Sequence, residues 1–134
     1  MNQLAYSGVT PWPENRSAPA AIPTKRTVAY ISGPVSTDTN GCPGKELAHV
    51  GAFIVAHREL MRRGYAVINP GLTWFADPAC DLGWSNWIAA DLAIIQRSVD
   101  IVVRLPGDSR GADEECNYAN QLGIPVLSLE EACE

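Results

Sequence analysis

Cysteine is sparse and badly placed for a framework: Cys42, Cys80, Cys116 and Cys133 never form a C-x-x-C pair. Zinc sites need closely spaced ligands and disulfide scaffolds belong mostly to secreted chains, so the pattern points to reduced thiols. No run approaches ~18 consecutive apolar residues, which argues against a membrane span. The first residues lack a basic start followed by an apolar stretch, so no secretory signal is expected and a cytoplasmic setting follows. Positive charge is also short, with 10 Lys and Arg against 15 Asp and Glu and a formal net charge of −5. A chain of that sign has no electrostatic footprint for a nucleic-acid polymer. A small phosphorylated ligand stays open, because N–H groups at a helix N-terminus bind phosphate without net positive charge. The two histidines, His49 and His57, have no partners at metal or triad spacing, so no metal is expected. His57 falls on or beside an apolar stripe and His49 is expected to face solvent.

What remains is an ordinary globular composition, 46% hydrophobic over 134 residues, which is one domain's worth of chain. Residues 1–24 carry Pro11, Pro13, Pro19 and Pro23 without periodicity and read as an extended arm. Trp12 in that arm either docks on the body or a neighbouring subunit, or is exposed. Residues 25–134 form the domain. Thr27-Val-Ala-Tyr-Ile-Ser32 is a β-rich run closed by Gly33-Pro34. A helix follows from near Pro43, with a stripe of Leu47, Val50, Ile54 and Met61, Phe53 and Leu60 beside it, and a stop at Gly64. Tyr65 to Asn69 is a second strand, and an irregular, aromatic-rich stretch runs to Gly83. A helix over 85–98, a strand over 100–104, a loop over 106–111, a helix over 112–122 and a strand over 125–128 complete the chain. Strands alternating with helices predict an α/β, single-domain, doubly wound parallel sheet of four to five strands, flavodoxin- or Rossmann-like, with helices on both faces. The first two helices carry more apolar surface than one side of such a sheet covers, Trp84 and Trp87 included, so a homodimer is expected.

In this architecture ligands sit outside the carboxyl ends of the strands. Two carboxylates point there. Asp91 lies within the stripe Ile88, Leu92, Ile95, Val99, and Glu115 within Ala112, Ala119, Leu122, while Asp113, Asn117 and Asn120 point outward. Acids are almost never buried without reason, since desolvating the charge costs several kcal/mol. Two inward acids near one cleft suit acid–base or nucleophilic chemistry at an acetal-like carbon; the bland alternative is a solvated or capping pair. Among Trp74, Phe75, Trp84 and Trp87 some can stack a base, with Trp87 better read as core roof. Gly107-Asp-Ser-Arg-Gly111 runs into a helix N-terminus and is either an anion site or a plain capping loop.

Taken together, Tyr30-Ile-Ser-Gly-Pro34, Gly64-Tyr-Ala-Val-Ile-Asn-Pro70, Asp91-Leu92 before Asp100-Ile-Val-Val103, and Ser109-Arg-Gly-Ala-Asp-Glu-Glu115 before Leu122-Gly-Ile-Pro-Val126 carry a likeness. Over nearly all of residues 27–128 the chain resembles the nucleoside 2-deoxyribosyltransferase superfamily, including its 2′-deoxynucleoside 5′-phosphate N-hydrolase branch and small phage-type relatives. The resemblance implies Glu115 as the nucleophile at C1′, Asp91 as the acid that orients sugar or protonates the departing base, and Tyr30 as the tyrosine near the nucleophile. It implies Ser109 and Gly111 as phosphate contacts. Where the nucleotide-hydrolysing branch has a basic side chain after the first glycine this chain has Ser36, a departure for which Arg110 is the candidate stand-in. Ser32, Gly33, Asn69 and Trp74 complete the expected substrate-binding set. The expected activity is cleavage of an N-glycosidic bond in a nucleoside or its 5′-monophosphate, by hydrolysis or base exchange, chemistry that calls for no cofactor. The rivals are a non-catalytic nucleotide-binding module and an NAD-cleaving glycohydrolase.

Overall fold

In the computed structural model, residues 25–35, 47–77 and 81–134 are described. The arm over 1–24 with Trp12, the helix start near Pro43, Ser36, Cys42 and Cys80 lie outside them, as do the side chains of Leu47 and Trp74. The run of β-branched and aromatic residues after Thr27 forms β1 (Val28–Ser32), buried on both faces as a central parallel strand must be. The order continues α1 (Leu47–Arg62), β2 (Ala66–Ile68), α2 (Pro70–Thr73), a 3₁₀ turn (Trp74–Ala76), α3 (Trp84–Ser98), β3 (Ile101–Arg104), α4 (Arg110–Gln121), β4 (Val126–Leu127) and α5 (Leu129–Ala132). All strand pairs are parallel, in the order β2-β1-β3-β4. The expected α/β doubly wound sheet is what forms, with four strands among the described residues.

Strand alternation splits the core in two. Ala29, Ile31, Ile101 and Val103 pack with Phe53, Ala56 and Leu60 of α1 and with Ala132. Tyr30 and Val102 point the other way, onto Ile95, Val99 and Ala119 of α3 and α4. The chain leaves β1 for β2 on one side, then returns past β1 to β3 on the other. The reversal therefore lies between the carboxyl ends of β1 and β3, which register as Ser32 opposite Arg104. A crevice at that point is where this topology binds ligands.

Several local expectations need correction. The buried face of α1 is Val50, Phe53, Ala56 and Leu60, whereas Ile54 and Met61 are half exposed. That helix is apolar on most sides, so its rotation is set by packing on β1 and by the ring of Phe53, which lies against Gly71. A Cβ on Gly71 would run into that ring. His49 is half-buried with a shielded Nδ1 instead of facing solvent. Leu122 is 41% exposed and caps α4 instead of joining its stripe. α4 begins two residues earlier than expected because Ser109 caps it, accepting from Ala112 N at 3.1 Å. The stretch after Pro70 is helical where irregular chain was expected. α5 was not anticipated either. Its signal was present in Ser128-Leu-Glu-Glu131, a capping box in which Ser128 and Glu131 exchange side-chain-to-backbone bonds.

Candidate active site

β1 sends Tyr30 and Ser32, two residues apart and thus on one face, toward α3 and α4. Tyr30 is fully buried and Ser32 nearly so. α4 turns Glu115 onto them. Tyr30 Oη donates to Glu115 Oε2 at 2.6 Å and Ser32 Oγ donates to Glu115 Oε1 at 2.7 Å. Each carboxylate oxygen is therefore held by its own hydroxyl, and both contacts are short enough to count as charge-assisted bonds. From α3, Asp91 lies close enough to both Glu115 and Tyr30 to act on their charge. Asp91 and Glu115 are each 6% exposed.

Electrostatics divides the roles. Burial, then the neighbouring Glu115 charge, pushes the Asp91 carboxyl up to about 8. Burial holds the Glu115 carboxyl above its ordinary value too, and bonds from Tyr30, Ser32 and Asp91 and the positive charge of Arg104 offset only part of that rise. Two carboxyls this close do not both ionise, so the pair keeps one proton at neutral pH and Asp91 holds it. Burial and the two acids drive the Tyr30 phenol far above its ordinary value, so it remains a donor. The outcome is a buried, doubly hydrogen-bonded Glu115 carboxyl beside the buried acid Asp91, near the switch point of the sheet.

The other expected residues are only partly gathered here. The Gly33 backbone lies so close to the end of β3 that a Cβ would meet Leu105 Cβ at 2.9 Å, which makes it a packing glycine. Asn69 is turned to α1, its Nδ2 donating to Phe53 O at 3.3 Å and lying 3.1 Å from His57 Nδ1. It thus ties β2 to α1 on the face opposite Glu115, and His57 has a structural partner. Ser109 is committed to its cap, Arg110 stacks on Trp84 at 4.3 Å and pairs with Glu114, and Gly111 packs near Ile88 and Trp84. These three border the α3 and α4 N-termini above the acids. Ser36 and the Trp74 side chain lie outside the described residues.

The matched family spans the same elements. The chain belongs to DUF4406, a domain of unknown function, whose model matches residues 27–128. No curated protein and no solved structure matches it. The DUF4406 span runs from the residue before β1 to the residue after β4, so all four site residues lie inside it.

Ser32, expected in the substrate-binding set, donates to Glu115. Sequence reading missed one buried acid. Asp77, 4% exposed, accepts from Asp81 N, Leu82 N and Trp87 Nε1 and so clips the segment before α3 to that helix. The Asp77-Pro78 dipeptide was its signal, a common turn initiator. Cys116 is half-buried beside Ser32, and burial pushes its thiol up. Among the described residues no group of three or more His, Cys, Asp or Glu is placed to hold a metal, and no helix is long and apolar enough to cross a membrane.

Proposed function

We propose that the protein cleaves the N-glycosidic bond of a deoxynucleoside or its 5′-monophosphate, with Glu115 as nucleophile. The observation that carries this is the buried Glu115 carboxylate, held by Tyr30 and Ser32 and paired with Asp91. A glutamate oxygen forms a bond to C1′ as the C1′–N bond breaks, and the electron pair leaves with the base nitrogen, which takes the Asp91 proton. Charge at C1′ develops toward an oxocarbenium ion, which the Glu115 carboxylate stabilises before it bonds. Water then attacks C1′, leaves its proton on the carboxylate pair and releases sugar, or a second base takes the sugar instead. The likeness to the nucleoside 2-deoxyribosyltransferase superfamily in Tyr30, Asp91 and Glu115 supports the same reading. The small-molecule substrate fits the acidic net charge, a cytoplasmic setting and a homodimer formed through the outer face of α1, where Ile54, Val55 and Met61 stand exposed.

The test is incubation with a panel of deoxynucleosides, ribonucleosides, their 5′-monophosphates and NAD, with free base measured by chromatography. Base release from at least one deoxynucleoside or deoxynucleotide is expected, and Glu115→Gln abolishes it. General acid–base help alone is worth about 10²–10⁴-fold, and loss of the nucleophile costs at least that. Binding without release from any compound refutes catalysis and leaves a nucleotide-binding module. Full activity in Glu115→Gln refutes the nucleophile and moves attention to Glu114.

A further inference from the structure

β3 ends on a residue that its apolar pattern gives no reason to expect: Arg104, after Ile101, Val102 and Val103. It stands opposite Ser32 in the β1–β3 register, and Ser32 binds Glu115. An arginine packed against structure is unfavourable unless its donors are met. Here Nη2 donates to Gly107 O at 3.0 Å and to Asp113 Oδ1 at 3.1 Å, while Nη1 donates to the Leu105 carbonyl. One guanidinium thus spans the turn after β3 and the first turn of α4, two residues ahead of Glu115. Its side chain is 22% exposed, against 69% for Asp113, so the exposed ion pair by itself accounts for little. The groups that act on Glu115 are Tyr30 and Ser32 from β1, Asp91 from α3 and Arg104 from β3, with the Cys116 thiol next to it on its own helix and Asp113 on that helix turned outward to Arg104. Arg104 is the cation of that set, and its charge opposes the effect of burial on Glu115.

We propose that Arg104 is the positioning residue of this site: it locks the β3–α4 turn to α4 and sets a fixed positive charge beside the Glu115–Asp91 pair. This rests on Glu115 being the reacting carboxylate, but the test needs no turnover. Side-chain carboxyls of the full chain are titrated by ¹³C NMR, with Glu115 assigned by the resonance lost in Glu115→Gln. Arg104→Gln removes that charge and raises the Glu115 midpoint above its wild-type value. Arg104→Lys keeps the charge and the midpoint but loses the planar fork, so amides from Gly107 to Asp113 exchange faster. An unmoved midpoint in folded Arg104→Gln overturns the proposal, and so does a lysine variant that shifts as far as the glutamine one. Where Arg104→Gln does not fold, Arg104→Lys decides: a wild-type midpoint with faster exchange supports the proposal, and unchanged exchange or a shifted midpoint overturns it. A shifted midpoint in a protein that releases no base refutes the glycosidic reading alone. Base release with an unmoved midpoint refutes the role of Arg104 alone.

Discussion

Replacing Asp91 with asparagine should make the protein more stable at neutral pH while crippling its chemistry. Asp91 is 6% exposed, and its carboxyl sits at about 8 where 3.8 is ordinary. The folded value lies above the unfolded one, so between the two the folded protein keeps a proton that the unfolded chain has released. Stability contributed by this group is full below the unfolded value and is lost as pH rises toward the folded value. The slope is at most about 1.4 kcal/mol per pH unit. By pH 7, roughly three units above the ordinary value, the accumulated loss is at most about 4 kcal/mol. Asparagine fills the same space, can donate to Glu115 and does not titrate. The expected gain for Asp91→Asn at pH 7 is therefore ~1–4 kcal/mol, after allowing for hydrogen bonds of the acid that the amide reproduces imperfectly. It should vanish near pH 4 and level off above about 8. Urea unfolding of both proteins across pH 4–9 measures it. A difference that stays constant across that range, or a wild type that is the more stable at pH 8, refutes the claim that burial of this acid opposes folding.

The same pair shapes the rate: kcat/KM for base release should fall above about pH 8 as Asp91 loses its proton, and Asp91→Asn should lack that alkaline limb. Tyr30→Phe removes the 2.6 Å bond to Glu115 and should cost about 1.5–3 kcal/mol at pH 7, the worth of a hydrogen bond to a charged group. That bond favours the ionised carboxylate, so the cost should shrink as pH falls and Glu115 protonates; equal losses at pH 4 and 7 in urea unfolding would contradict it. Gly71→Ala drives a methyl into the Phe53 ring and should cost about 1–3 kcal/mol by overpacking, so a wild-type melting temperature would show that α1 moves freely. Light scattering should report a dimer that Val55→Glu converts to monomer, Val55 being 59% exposed on the outer face of α1.

The parallel α/β fold was legible because each element carries its own period: continuous apolar runs for β1 and β3, helical spacing for α3 and α4. Asp91 and Glu115 stood out for the same reason, as acids on faces that the period reserves for apolar side chains. Short elements were not legible. α2 and α5 span four residues each, about one turn, which is too little chain for periodicity to register. The rotation of α1 escaped as well, because a helix apolar on most sides has no unique inward face until β1 and Gly71 supply one. Asn69 read as a ligand contact from its strand-end position, yet its amide is bound to α1. Local pattern by itself thus determined the long elements and turned Asp91 and Glu115 inward. Only tertiary structure decided that Tyr30 and Ser32 meet Glu115 across more than 80 residues, and that Arg104 stands beside Ser32. Those contacts depend on the strand order and register, and hydrophobic periodicity along one segment carries no information about either.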